Sequence, residues 1–331
     1  MNNKKSVSVV IPNYNGRQLL EQYLPFTFEA IKNAGVAYEV IVVDDGSTDE
    51  SVSYIRSTYP DIKLLVNGKN SGFSYSCNQG IAAAQCDLIL LLNSDVKLTP
   101  NYFDSQWKYF DMPDTFGVMG RIIDMEGGRI QDAARLPKFN GLKLKTAFFY
   151  YTDTPDDILY TFYLSGANAL VDAAKLKAIG GFFELFSPFY CEDMELSLRA
   201  WRLGWKCYYE HSSVCRHQVS ASTKNYKTAK WVKSIYYRNR FYMHALHLDG
   251  LALLGWYIQI TVIDLIPKLL AGQFWIWSSY TALFADQTAV KQCKQRIKNM
   301  LQQSPQRFSI FKVISFIRNS VKGKQLIRIK L

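Results

Sequence analysis

The stretch Asp87-Leu-Ile-Leu-Leu-Leu-Asn-Ser-Asp95 decides the fold. Leu88 to Leu92 is an unbroken aliphatic run bounded by polar residues. That is the pattern of a short strand buried on both faces, as in a parallel sheet covered by helices. Such sheets bind ligands beyond the carboxyl ends of their strands, so Asp95 is delivered to the edge where a site forms. A carboxylate there is a hard oxygen ligand suited to Mg²⁺ or Mn²⁺, above all to a cation already carrying diphosphate. Taken alone, a strand ending in a polar turn accounts for the segment equally well.

Three more strand candidates lie upstream. Val7-Ser-Val-Val-Ile-Pro12 is β-branched and stopped by proline; Tyr38-Glu-Val-Ile-Val-Val43 and Asp61 to Val66 follow. Helices are expected from Arg17 to Asn33, bent at Pro25, then through Ser57 with Ser47 or Thr48 as cap, and then to about Ala84. Strand–helix alternation at this spacing implies a doubly wound α/β sheet with right-handed crossovers. The polar loops Asn13–Asn15, Asp44–Asp49 and Asn93–Asp95 should then open on one edge. Neither GxGxxG after the first strand nor GxxxxGK[ST] occurs, so phosphate must be held another way. A metal on Asp95 would do it.

The length, 331 residues with 48% apolar, suits one large α/β domain plus an appendage. Six cysteines without a CxxC pair fit reduced thiols in cytosol, and Cys207, Cys215 and His217 match no standard zinc spacing. Met1-Asn-Asn-Lys-Lys5 leads straight into a strand, so no signal peptide is expected. The net charge of +11 is uneven: residues 222–331 carry 18 Lys and Arg against three acidic residues, a net of +15 that leaves −4 for residues 1–221. A boundary near residue 221 follows from charge alone.

With these motifs in order, the chain resembles the family 2 glycosyltransferases of the GT-A fold. The resemblance rests on Val9-Val-Ile-Pro-Asn-Tyr-Asn15, Val42-Val-Asp-Asp-Gly-Ser-Thr-Asp49, Asn70-Ser-Gly-Phe73, Asn78-Gln-Gly-Ile81 and Leu90-Leu-Leu-Asn-Ser-Asp95. It continues through Leu164-Ser-Gly-Ala167, Gly180-Gly-Phe182, Tyr190-Cys-Glu-Asp-Met-Glu-Leu196, Arg199, Gly204-Trp205 and Val214-Cys-Arg-His217, over about residues 6–220. The rhamnosyltransferase-like subgroup is the most similar, because it commonly has Asn where the metal motif here has Asn93. The resemblance implies a Rossmann-like, mostly parallel sheet with helices on both faces. Residues 1–221 would be the catalytic domain, with a nucleotide-sugar half to about 98 and an acceptor half from about 99. Residues 222–331 would be a helical, basic and apolar segment.

Roles follow from chemistry and resemblance together. Asp45 follows a strand end, where a carboxylate can accept the imide N–H of uracil or thymine; capping the next helix is the plainer reading of Asp44 and Asp45. By resemblance Asp45 reads the base, Pro12, Tyr14 and Asn15 form the loop against which it packs, and Asn93 touches ribose or diphosphate. Asn70 and Gly72 belong to a loop over the nucleotide whose exposed amides would serve phosphate. Asp95 and His217 are the metal ligands, His217 being placed by resemblance near the donor diphosphate. Glu192 and Asp193 open a helix expected from about Cys191 to Leu203, where the dipole alone would favour acids. By resemblance Asp193 is the general base that takes the acceptor's proton, with Glu192 supporting it. One base and direct displacement give inversion. Asp132 is left unranked.

From Tyr226 to His247, Lys227, Lys230, Lys233, Arg238 and Arg240 alternate with apolar residues, which predicts a cationic amphipathic helix. Leu251 to Ile266 is strongly apolar, but Gln259, Asp264, Pro267 and Lys268 interrupt it and disfavour a simple bilayer span. With Phe274-Trp-Ile-Trp277, residues 225–300 read as helices on or dipping into the cytoplasmic leaflet. A helical subdomain packed on the catalytic domain is the alternative; nucleic-acid binding is not expected.

The expected protein is thus a Mg²⁺- or Mn²⁺-dependent inverting transferase, cytoplasmic and peripheral on the inner face of the cell membrane. Its donor would be a UDP- or dTDP-sugar, with dTDP-rhamnose pointed to by the subgroup. Its acceptor would be a glycan or polyprenyl-linked sugar of a bacterial surface polysaccharide. Oligomeric state is left open. The rivals are a degenerate nucleotide- or glycan-binding scaffold, and a sugar-nucleotide nucleotidyltransferase. The latter is expected to carry a Gly-rich, basic loop after the first strand that Asn13-Tyr-Asn-Gly-Arg17 fits poorly.

Overall fold

The computed structural model describes residues 5–154, 157–218 and 228–329. Strands β1 (Val7–Asn13), β2 (Tyr38–Asp44), β3 (Lys63–Val66) and β4 (Leu88–Leu92) alternate with helices α1 (Arg17–Ala34), α2 (Ser51–Thr58) and α3 (Phe73–Ala83). The chain continues through β5 (Val96–Leu98), β6 (Thr115–Ile123), β7 (Ile130–Asp132), β8 (Ala134–Asn140), β9 (Lys143–Tyr151), β10 (Leu159–Tyr160) and β11 (Asn168–Asp172). Then come α4 (Ala173–Ala178), α5 (Glu192–Arg202) and β12 (Lys206–His217). The main sheet runs β10-β12-β6-β11-β4-β1-β2-β3, with β1 to β4 mutually parallel and β11 antiparallel to both its neighbours.

Burial of β4 on both faces is what the sequence predicts. Leu88, Leu90 and Leu92 belong to one hydrophobic layer, while Ile89 and Leu91 belong to the other. Val9 and Ile11 of β1 side with the first layer and Val10 with the second, so the sheet is a true partition between two helical layers. On the second face α3 approaches closely. A Cβ at Gly80 would stand 2.3 Å from Val10 Cγ1, so only glycine lets this helix seat on β1. In register, Asn13 faces Asp44 and Val10 faces Leu91, which brings the three polar loops level at one edge.

Pro25 lies inside α1 without ending it. Ser47 and Thr48 do not cap α2; they bond to the β1 loop, and Asp49 accepts from the Ser51 amide at 3.0 Å instead. A second sheet of β8, β9 and a strand at Ile327–Ile329 was not anticipated, because its polar alternation resembles loop.

The C-terminal helices are α6 (Ala229–His247), α7 (Gly250–Gln259), α8 (Ile266–Leu270), α9 (Trp275–Ala285), α10 (Gln287–Gln303) and α11 (Ile310–Asn319). The boundary at residue 221, and Tyr226 and Lys227 of the expected basic helix, lie outside the described residues. The remainder of that helix exposes Lys230 and Lys233 but is packed along its other face. Phe241, Tyr242, Met243 and Leu246 of α6 are buried in the same hydrophobic layer as Ile89 and Phe182, and Arg238 and Arg240 turn inward to backbone carbonyls. Charge periodicity misled only at Arg238 and Arg240, because arginines turned inward can be satisfied by carbonyl oxygens.

Residues Gly250–Leu270 form one continuous helix, through a π-helical turn at Ile260–Leu265 that precedes Pro267. With mean hydropathy 1.5 it is long and apolar enough to cross a membrane, by length and composition only. The residues expected to interrupt it are satisfied on its inner side. Gln259 bonds to the Leu142 amide and Asn140 carbonyl, and Asp264 bonds to Lys143 and Lys268. Its outer side leaves Leu251, Leu254, Ile258, Val262, Ile263 and Leu270 exposed.

Candidate active site

The loops after β1 and β2 are laced together. Asn13 Nδ2 donates to Asp44 Oδ2 at 2.9 Å, the Asn15 amide donates to Ser47 Oγ at 2.8 Å, and Asn15 Oδ1 accepts from the Thr48 amide at 2.8 Å. Asn15 itself is left-handed, φ 50°, a conformation asparagine tolerates. Lacing both loops leaves Tyr14 as an exposed lip, 40% accessible.

Asp45 is buried and heavily engaged. It accepts from Asn67 Nδ2 at 2.9 Å, from the Ser71 amide at 3.0 Å and from the Gly72 amide at 2.8 Å. A carboxylate has about four lone-pair sites, so about one remains for a ligand N–H. This bears on the loop expected to serve phosphate. The Ser71 and Gly72 amides are given to Asp45, and Asn70 is exposed and does not line the cavity. Gly72 (φ 95°) does line it, pressed so close to Pro188 that a Cβ would meet Pro188 Cα at 3.2 Å.

A cleft of about 370 Å³ is lined by Pro12, Tyr14, Asn15, Asp45, Gly72 and Asn93 together with Glu192, Asp193 and His217. Ser165-Gly166-Ala167 floors it. Asp95 is buried behind His217, with Nε2 of His217 3.4 Å from Oδ1 of Asp95. Asp95 Oδ1 has no hydrogen-bond partner, and neither has Asn93 Oδ1. Gln131 Oε1 lies 3.2 Å from His217 Nδ1; an amide oxygen can only accept, so Nδ1 carries the proton and the Nε2 lone pair faces Asp95. In the neutral ring this sets two acceptor atoms facing each other, an arrangement that suits a divalent cation. Among the described residues no group of three or more His, Cys, Asp or Glu is placed to hold a metal ion.

The opposite wall is made by the turn into α5. Tyr190 and Cys191 both have positive φ, 79° and 69°, which swings Glu192 and Asp193 into the cleft. Burial pushes both carboxyls above their ordinary range; the Asp193 charge lifts Glu192 further, and the Arg135 guanidinium opposes the rise at Asp193. Arg135 is buried, paired with Asp132 and bonded to the Tyr163 carbonyl at 2.9 Å. Burial lifts Asp132 to about 6 despite that pair. Asp132 thus belongs to a buried acid–arginine cluster backing Asp193. Arg135, Gln131 and Asn67 escaped sequence reasoning because each acts through another side chain, and no spacing signals such a role.

A second cavity of about 540 Å³ lies beyond this wall and shares Tyr190, Glu192 and Asp193 with the first. The two acids therefore stand between two chambers.

Level polar loops at the carboxyl edge of a mostly parallel sheet, facing a paired acid across a cleft, define a GT-A type enzyme site. The chain belongs to glycosyl transferase family 2, whose family model matches residues 8–179. An N-acetylglucosaminyl-diphospho-decaprenol L-rhamnosyltransferase of Mycobacterium tuberculosis is 26% identical over 243 residues, covering 65% of this chain and 76% of that protein. A dolichol-phosphate mannosyltransferase of Pyrococcus furiosus is 30% identical over 131 residues, 38% of this chain and 35% of its own length. Among solved structures, the mannosyltransferase PcManGT of Pyrobaculum calidifontis with GDP-Man and Mn²⁺ aligns at TM-score 0.54 and 15% identity, over 97% of this chain and 85% of that one. GalNAc-T7 with UDP, GalNAc and Mn²⁺ aligns at TM-score 0.57 and 14% identity, over 76% of this chain and 49% of that one. Glycosyl transfer is the chemistry these relatives' names carry.

Proposed function

We propose that the protein is an inverting, divalent-metal-dependent glycosyltransferase. It would move a sugar from a UDP- or dTDP-sugar, dTDP-rhamnose first among them, to a polyprenyl-linked acceptor at the cytoplasmic face of the membrane, where it is peripheral. The observation that carries this reading is one cleft lined by Asp45, His217 and Asp193 together, with Asp95 buried behind His217. The rhamnosyl donor and lipid-linked acceptor are suggested by the name of the mycobacterial relative, an N-acetylglucosaminyl-diphospho-decaprenol L-rhamnosyltransferase. Membrane association is supported by the bare apolar side of Gly250–Leu270.

Mechanistically, Asp45 presents its remaining lone pair to the N3–H of uracil or thymine, while Tyr14 and Pro12 cover the base. Asp95 and His217 would hold Mg²⁺ or Mn²⁺, which supplies charge neutralisation to the departing nucleoside diphosphate. Asp193, partly buried where it lines the cleft, accepts the proton of the acceptor hydroxyl as that hydroxyl's oxygen forms a bond to the anomeric carbon. The bond from that carbon to the diphosphate oxygen breaks on the opposite side, and its electron pair leaves with the diphosphate. Attack from one face and departure from the other invert the centre.

The test is donor cleavage by the purified chain across UDP-, dTDP- and GDP-sugars, with Mn²⁺, Mg²⁺ or EDTA, beside Asp193→Ala. Metal-dependent release from one donor, lost in the variant, is expected. Tight nucleotide binding with no release from any donor, even with membrane extract as acceptor source, would replace this reading with a non-catalytic scaffold.

A further inference from the structure

The second chamber has a chemistry of its own. Its walls are Lys143 and Lys145 of β9, Arg240 of α6, and Trp256, Ile260 and Asp264 on the inner side of the Gly250–Leu270 helix. Lys143 is balanced: its Nζ lies 2.8 Å from Asp264 Oδ2. The other two cations are not. Arg240 bonds only to neutral oxygens, Tyr236 Oη at 2.9 Å and the Leu144 carbonyl at 2.7 Å. Lys145 makes no hydrogen bond or ion pair among the described residues. Partial burial lowers its pKa, and Lys143 and Arg240 lower it further. Lys145 and Arg240, drawn together with no carboxylate paired to either, make this side of the chamber suited to an anion.

The helix that walls the chamber is also the most exposed apolar element. Trp256, Ile260 and Asp264, four residues apart, face inward, while Leu254, Ile258 and Val262 are 57%, 58% and 56% exposed on the other side. One helix thus separates a cation-lined chamber from a surface fit for a bilayer.

We propose that this chamber is an anion subsite for the phosphate or diphosphate of a lipid-borne acceptor, with Lys145 and Arg240 pairing its oxygens and the Gly250–Leu270 helix lying in the membrane that delivers it. The sugar attached to that phosphate then meets Asp193, which the chamber shares with the donor cleft. Calling the ligand an acceptor rests on the transferase reading. The anion site itself rests on the unbalanced cations.

The experiment measures binding of the full chain to phosphatidylcholine vesicles with and without polyprenyl diphosphate, and of inorganic pyrophosphate in solution. No sugar nucleotide is present, so a chain that turns over no donor fails the transferase reading and leaves this result standing. Polyprenyl diphosphate should tighten vesicle binding, and Lys145→Glu should weaken that gain about tenfold or more. Lys291→Glu, the same charge change on the exposed surface of α10, should leave it intact. Lys145→Ala reports the same direction should the glutamate disturb β9. The proposal is overturned if Lys145→Glu and Lys145→Ala keep the full gain, or if Lys291→Glu loses as much as Lys145→Glu. Pyrophosphate binding that depends on Lys145, with no gain from the lipid form, overturns the lipid source.

Discussion

His217 Nε2 stands 3.4 Å from Asp95 Oδ1 with no hydrogen bond between them, and Gln131 on the other side of the ring turns a lone pair toward that gap. Asp95→Ala should therefore abolish the Mn²⁺-dependent part of UDP or dTDP affinity while leaving a weaker metal-independent part. Titration calorimetry with and without EDTA reads both. Gln131→Ala should cost less, about tenfold, because it frees the ring without removing a ligand.

The acid limb of the reaction has a predictable direction. Burial raises the Asp193 carboxyl, so it remains protonated, and unable to accept a proton, to a higher pH than an ordinary aspartate. Activity should fall on acidification at a pH above the usual aspartate range. Arg135→Met removes the charge that opposes this rise and should shift the limb further upward. A pH–kcat profile of both proteins measures it; an unmoved limb would detach Arg135 from the base.

Asp45 does structural work besides any reading of the base. Asp45→Ala strips the acceptor from the Asn67 side chain and the Ser71 and Gly72 amides together. It should lower stability by about 2–3 kcal/mol as well as nucleotide affinity. Asn67→Ala, which leaves the carboxylate in place, should lower stability by about 1 kcal/mol with a much smaller loss of affinity. Denaturant melts beside nucleotide titration separate the two effects.

Behind α5 lies a buried ion cluster. Arg199 Nη2 is 2.7 Å from Glu195 Oε2, and His247 Nε2 of α6 is 3.2 Å from Glu195 Oε1. Glu195→Ala would strand Arg199 without its counter-ion, at a cost of about 3–5 kcal/mol in thermal or chemical denaturation. Burial raises the Glu195 carboxyl, but Arg199 and His247 outweigh it and hold it below its ordinary value. Its contribution is therefore complete above the pKa of an unfolded glutamate and is lost as pH falls through the lower folded value. The variant should accordingly show a flatter acid melt than the native chain.

Replacing Leu254 and Ile258 by glutamate together should reduce binding to phosphatidylcholine vesicles at least about tenfold without unfolding the chain, since both side chains are already bare. Vesicle flotation reads the first and circular dichroism the second.

Why some of this was legible in the sequence and some not has a physical reason. β1, β2 and β4 announce themselves because a strand buried on both faces must be apolar throughout, and their ends must be polar to meet solvent. Asp45, Asp95 and Asp193 stand out as acids at element ends. The strands β8 and β9 are half-buried, with Lys143 and Lys145 among their residues, and give no such contrast. Arg238 and Arg240 of α6 read as surface, as Lys230 and Lys233 are, because sequence shows a cation's presence but not the carbonyl that satisfies it. Arg135 and Gln131 work at one remove from the ligand, and only three-dimensional adjacency reveals them.

Asn239 of α6 places its amide nitrogen 2.6, 2.9 and 2.9 Å from the carbonyls of Phe186, Phe189 and Tyr190, the loop that carries the chain into Glu192 and Asp193. The far end of the polypeptide therefore dictates the shape of the acidic turn made forty-odd residues earlier. A chimera that borrows its C-terminal helices from a relative exchanges more than a membrane foothold. It inherits a different mould for the turn that bears Glu192 and Asp193, so, on the proposed role of Asp193, acceptor preference and catalytic competence are expected to travel with that graft while nucleotide choice stays with the recipient.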